Sequence, residues 1–181
     1  MHIFLTGEIQ IGKSTVINKT LDLLKITPQG FRTYFGHDRA KGDRLLYLNS
    51  AALPPAYNEK KAVVRFREGR QQEVLSERFD RYGAHLIRAA RADSNSALIL
   101  MDECGSLESR ALVFQQEILA ALDGSKPILG VVKLASSGWT DQIREHAKVT
   151  LLTVTRENRD LLPRLLAHSF SRVRALCYKE D

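Results

Sequence analysis

The stretch Gly7-Glu8-Ile9-Gln10-Ile11-Gly12-Lys13-Ser14-Thr15 decides how the rest of this chain is read. It fits the pattern G-x-x-x-x-G-K-[ST] of a phosphate-binding loop. Its flanks fit as well. The short apolar run His2-Ile3-Phe4-Leu5-Thr6 before it predicts a buried strand. After it, Val16, Ile17, Thr20, Leu21 and Leu24 recur at helical spacing. Strand, glycine-bounded loop and helix together give the pattern a mechanism. The first N–H groups of a helix have no partner inside it, and the helix dipole favours negative charge there. In that setting Lys13 is placed to meet β- and γ-phosphates as a point charge, and Ser14 to offer its hydroxyl to Mg²⁺.

A second anchor lies downstream. Ala97-Leu98-Ile99-Leu100-Met101 is an unbroken apolar run, typical of a central parallel strand covered on both faces. It ends in Asp102-Glu103-Cys104-Gly105. Charges at the carboxyl end of a parallel strand lie on the crevice side of a sheet, where ligands bind. Asp102 is therefore expected to hold Mg²⁺ opposite Ser14, and Glu103 to orient or deprotonate a water that attacks the γ-phosphate. The same two acids also suit the N-terminus of a helix expected from Ser106. A phosphate loop upstream favours the catalytic reading. Arg32, Arg156 and Arg159 are candidates to meet charge developing on a transferred phosphoryl group, with Lys133 a further one; each also reads as an ordinary surface cation.

The remaining pattern alternates. Strands are expected at residues 31–35, 44–48, 62–66, 127–132 and 149–154, and helices at 76–92, 106–122 and 139–147, with a closing helix after Thr155. Residues 49–61, with Pro54-Pro55, read as a loop. The expected fold is α/β: a doubly wound, mostly parallel sheet of the P-loop NTPase type, with an antiparallel hairpin from residues 31–48 at one edge. No repeat or linker interrupts it, so the 181 residues read as one domain.

Composition narrows the setting. Hydrophobic residues make up 44% and charged residues 27%, the balance of a globular protein. No apolar run is long enough to span a bilayer as a helix. The two cysteines, Cys104 and Cys177, have no metal-ligand spacing and read as reduced thiols, which suits a cytoplasmic protein. The net charge of +6 suits a polyanionic ligand, a nucleotide or a nucleic acid, but the arginines are spread rather than blocked, so a dedicated nucleic-acid surface is not favoured.

The segments of residues 7–15, Gly30-Phe31-Arg32-Thr33, Met101-Asp102-Glu103-Cys104-Gly105-Ser106-Leu107-Glu108, Lys126-Pro127-Ile128-Leu129-Gly130-Val131-Val132 and Glu157-Asn158-Arg159-Asp160 together resemble the small P-loop nucleoside-triphosphatases of the thermophile-type and cancer-related kind. Order and spacing match along nearly the whole chain. The resemblance implies slow hydrolysis of ATP and other nucleoside triphosphates with little base selectivity. It implies that Asp102 and Glu103 belong to the nucleotide site. It also places the Glu157–Asp160 segment near the base or a lid, adding Asn158 and Arg159 to the expected binding residues. Two departures stand out. The family usually has proline then glycine at the positions of Ile9 and Gln10, so Gln10 is strained if that position takes a positive φ. Cys104 stands where isoleucine is more frequent.

The chain is thus expected to be a Mg²⁺-dependent nucleoside-triphosphatase. Competing readings are a P-loop kinase for a small molecule or nucleic-acid end, with a lid at residues 134–148, and a nucleotide-dependent RNA-binding module.

Overall fold

In a computed structural model the described residues build eight strands: β1 (His2–Thr6), β2 (Gln29–Phe35), β3 (Arg44–Ser50), β4 (Ala62–Phe66), β5 (Glu73–Val74), β6 (Ile99–Cys104), β7 (Ile128–Val132) and β8 (Val149–Thr153). The structure describes residues 1–134 and 138–177. The strands form one sheet in the order β5-β4-β3-β2-β6-β7-β1-β8. From β2 to β8 every pairing is parallel, whereas β2 to β5 pair antiparallel. The register aligns Phe4 with Gly130 and Gly130 with Met101. The carboxyl ends of β1 and β6, which carry the phosphate loop and the two acids, therefore open on the same edge, with β7 between them.

Apolar residues on both faces of the central strands explain the layering. Ile3, Leu5, Leu100, Leu129 and Val131 meet α1 (Lys13–Leu24) through Val16, Ile17 and Leu21, and α6 (Leu162–Cys177) through Leu162, Leu166 and Phe170. Phe4, Phe31, Ile99 and Met101 point the other way. They pack with Phe79, Ile87, Phe114, Ile118 and Ile143. Those side chains come from the continuous helical stretch α2 (Ser76–Arg78), a π-helical turn (Phe79–Gly83) and α3 (Ala84–Ala92), and from α4 (Leu112–Asp123) and α5 (Trp139–Arg144). Each fully buried side chain of this kind contributes roughly 1.5–3 kcal/mol.

The expected edge hairpin exists as β2 and β3, but it is no appendage. Gln29 pairs with Ile99 and Arg32 with Asp102, so β2 joins the parallel core, and Phe31 and Leu48 are fully buried. β4 and β5 extend the sheet beyond it; β5, with two residues, is too short to leave a periodicity. Two helix starts differ from expectation for local reasons, and a third helix starts where expected but is widened. The helix expected at Ser106 begins at Leu112, because Glu108 closes a turn by accepting from the Gly105 N–H through its carboxylate and from the Ala111 N–H through its carbonyl. The closing helix begins at Leu162 rather than after Thr155, because the Asn158 side chain accepts the Thr155 N–H at 2.8 Å and holds a turn there. The helix at Ser76 is widened by the π-turn at Phe79–Gly83. Of the lid expected at residues 134–148, residues 135–137 lie outside the described residues, and the rest carries α5.

Candidate active site

The loop between β1 and α1 runs tightly over the end of β8. A Cβ on Gly7 (φ 139°) would lie 2.7 Å from the Val154 carbonyl oxygen, so only glycine fits this approach. Gln10 takes φ 65°, the left-handed region, at the position where the departure in sequence had pointed to strain. Ile11 is buried, whereas Ile9 and Gln10 are exposed at the loop tip. Gly12 occupies the N-cap of α1, and among the described residues no side chain caps that helix or places an acid in its first turn. Its leading N–H groups are thus left for an anion. Lys13 Nζ donates to the loop's own carbonyls, Gly7 O at 2.9 Å and Glu8 O at 2.8 Å.

Across β7 stand the acids. Asp102 is 6% exposed, and burial pushes its carboxyl up to about 6. The positive charge of Arg32, a hydrogen bond from the Ser14 hydroxyl and the charge of Lys13 all oppose that rise, while Glu103 adds to it. The fold therefore brings Ser14, Lys13, Arg32, Asp102 and Glu103 to one place from three separate elements. Arg32 Nη1 also donates to Asn18 Oδ1 on α1 at 2.6 Å, tying the helix to the strand that carries it. The Thr33 hydroxyl donates to Asp102 O and accepts from the Glu103 N–H, both at 3.2 Å. Lys133 lies beside the acids on the end of β7, where its N–H donates to Cys104 O at 2.9 Å.

The Glu157–Asp160 segment borders the loop from the other side. Arg159 Nη1 reaches Ile11 O at 3.4 Å, and with Gly12, Thr15, Val16, Lys19 and Asp160 it lines a cleft of about 140 Å³. Asn158 spends its amide on the turn, accepting from Thr155 N–H and donating to Thr153 O at 2.9 Å. Arg156 is exposed.

Four residues around the acids went unassigned in the sequence: Asn18, Thr33, Glu108 and Trp139. Thr33 and Glu108 stood inside segments already singled out; the partners of Thr33 are backbone groups on β6, which no spacing reveals, whereas that of Glu108 is the Gly105 N–H three residues before it. Among the described residues no group of three or more His, Cys, Asp or Glu side chains could hold a metal ion. A cation at this site would have to share its shell between protein oxygens and a ligand's.

A family model described as NTPase matches residues 2–167. The nucleoside-triphosphatase THEP1 of Thermofilum pendens is 29% identical, with 94% of this chain and 95% of the relative covered. That of Methanosarcina barkeri is 29% identical over 96% of this chain and 99% of its own. The cancer-related nucleoside-triphosphatase homolog of Bos taurus is 25% identical over 92% and 95%. Among solved structures, that of a human cancer-related nucleoside triphosphatase superposes with a TM-score of 0.66 at 26% identity, covering 94% of this chain and 97% of the other. THEP1 from Aquifex aeolicus shares the fold with a TM-score of 0.71 at 19% identity, over 92% and 96%. The family match takes in the phosphate loop, the strand that ends in two acids and the segment that borders the cleft, and the chain belongs to the NTPase family.

Proposed function

We propose that this nucleoside-triphosphatase, with the whole chain 1–181 as its one catalytic domain, hydrolyses ATP and other nucleoside triphosphates in the cytoplasm. The reaction is Mg²⁺-dependent and selects little among bases. The observation that carries the reading is Ser14, in the first turn of the uncapped α1, set beside the buried Asp102 carboxylate at the end of β6. Residues 7–15 and the α1 N–H groups cradle the phosphates, and Lys13 exchanges its loop carbonyls for phosphate oxygens. Ser14 and Asp102 supply hard oxygen donors of the kind Mg²⁺ takes alongside phosphates, so the residues present fit that ion. Bound Mg²⁺ would neutralise charge on the β- and γ-phosphate oxygens.

Glu103, partly buried at the strand end, orients the attacking water and accepts its proton as the water oxygen bonds to the γ-phosphorus. The bond from that phosphorus to the bridging oxygen breaks, leaving a nucleoside diphosphate and phosphate. Arg32, held by Asn18 and close enough to lower the Asp102 carboxyl through its charge, adds positive charge near the transferred group. Arg159 borders the cleft and Asn158 shapes the turn that presents it.

Phosphate release from ATP, GTP, CTP and UTP, with Mg²⁺ or with a chelator, tests this. The expected result is turnover of all four, with kcat/KM values within about tenfold of each other, abolished by the chelator. Turnover of a single base, or release only after a phosphoryl acceptor is added, would overturn it.

A further inference from the structure

The backbone from Asp102 to Gly105 is hydrogen-bonded at nearly every step. Neighbouring strands supply the first bonds: Thr33 holds Asp102 O and the Glu103 N–H, and the Lys133 N–H holds Cys104 O. Beyond the strand end, two buried side chains take over. Glu108 Oε2 accepts the Gly105 N–H at 2.8 Å, and Trp139 Nε1 on α5 donates to Gly105 O at 2.8 Å. Glu108 is itself fixed, since its carbonyl accepts from Gln115 Nε2 at 2.7 Å and from the Ala111 N–H at 2.9 Å.

This clamp is costly for a mere loop closure. Glu108 is 3% exposed, and burial pushes its carboxyl up to about 7 even though it accepts backbone N–H bonds and faces the charge of Lys133; the charge of Glu103 adds to the rise. A neutral acceptor such as serine or asparagine closes turns of this size without burying a carboxylate. The group it fixes lies two residues past Glu103, at the point where the strand ends. A misplacement of a catalytic group by about 1 Å costs on the order of a hundredfold in rate.

We propose that Glu108 is a positioning residue for hydrolysis: with Trp139 it clamps Gly105 from both sides and so holds Glu103 in register with the phosphate site. The inference rests on the reading of Glu103 as the group that activates water. Glu108→Ala is expected to lower kcat on the order of 10- to 100-fold, with KM and nucleotide Kd changed less than about threefold. Glu108→Gln, which keeps an oxygen able to accept from Gly105, restores most of kcat. Trp139→Phe releases the Gly105 carbonyl and lowers kcat in the same direction, which keeps the test open should Glu108→Ala fail to fold. The double variant loses less than the product of the two, because both act on one residue. Wild-type kcat in a folded Glu108→Ala or Trp139→Phe variant, or equal losses with Ala and Gln, would overturn the clamp. Full turnover in Glu103→Gln would instead overturn the reading beneath it; an inactive Glu103→Gln beside a fully active Glu108→Ala would overturn the clamp alone.

Discussion

Gln10 offers a perturbation whose sign follows from one angle. Its φ of 65° lies in the left-handed region, where a Cβ crowds the following carbonyl at a cost of about 1–2 kcal/mol. The side chain is exposed at the loop tip, so little packing is lost with it. Gln10→Gly removes the strain but loosens the unfolded chain, which offsets roughly 0.5–1 kcal/mol. The net expectation is a gain of about 0.5–1 kcal/mol. Gln10→Ala keeps the Cβ and should stay within about 0.5 kcal/mol of the parent. Glycine should therefore exceed alanine by about 1 kcal/mol, or about 2–4 °C in melting temperature for a chain of this size. Urea denaturation and thermal melts of the three nucleotide-free proteins measure this directly. A glycine variant less stable than the alanine variant would refute the reasoning, because it would mean that the loop does not hold residue 10 at a positive φ.

Other outcomes are equally specific. Lys13→Ala should weaken nucleotide binding by about 10- to 100-fold, the loss of charge-assisted bonds, while leaving the melting temperature nearly unchanged; calorimetric titration and melts check both halves. Gly30→Ala should cost more than about 3 kcal/mol or prevent folding, because φ is 106° and a Cβ would sit 2.2 Å from the Leu100 carbonyl oxygen; a variant within 1 kcal/mol of the parent by denaturation would contradict the close β2–β6 approach. Glu108 sets a pH dependence. Its carboxyl rises from 4.5 to about 7 on folding, so between those values the folded protein holds a proton that the unfolded chain has released, and stability falls as pH rises through the window. His2, fully buried and pushed down to about 4, works in the opposite sense below 6.5. The stability of the parent minus that of Glu108→Gln cancels His2 and should fall between about pH 4.5 and 7; a flat difference would contradict it.

The central sheet was legible because its physics is local. Strands buried on both faces read as apolar runs, and β1, β6 and β7 lie within a few residues of the expected 2–6, 97–101 and 127–132. The phosphate loop was legible down to the abnormal torsion at Gln10, since a glycine position filled by another residue points to strain. What escaped was set by distant partners. Nothing in the spacing says that Arg32 bonds Asn18 on α1, or that a threonine on β2 bonds the peptide between two acids on β6. The late start of α4 escaped for a nearer reason, a side chain only three residues from the N–H it accepts. A helix was expected from Ser106, but the buried carboxylate of Glu108 takes the Gly105 N–H and α4 starts only at Leu112. The parallel seat of β2 was hidden too, because a short aromatic run beside a glycine loop reads the same whether its hairpin stands alone or joins a larger sheet.

In the proposed reaction Glu103 activates water beside a phosphate site built by Lys13, Ser14 and Asp102. Steady-state phosphate release and nucleotide titration of Glu103→Gln test it most directly. The predicted result is a kcat lower by roughly 10²- to 10⁴-fold with nucleotide affinity within about threefold of the parent. Undiminished turnover in that variant would contradict the account.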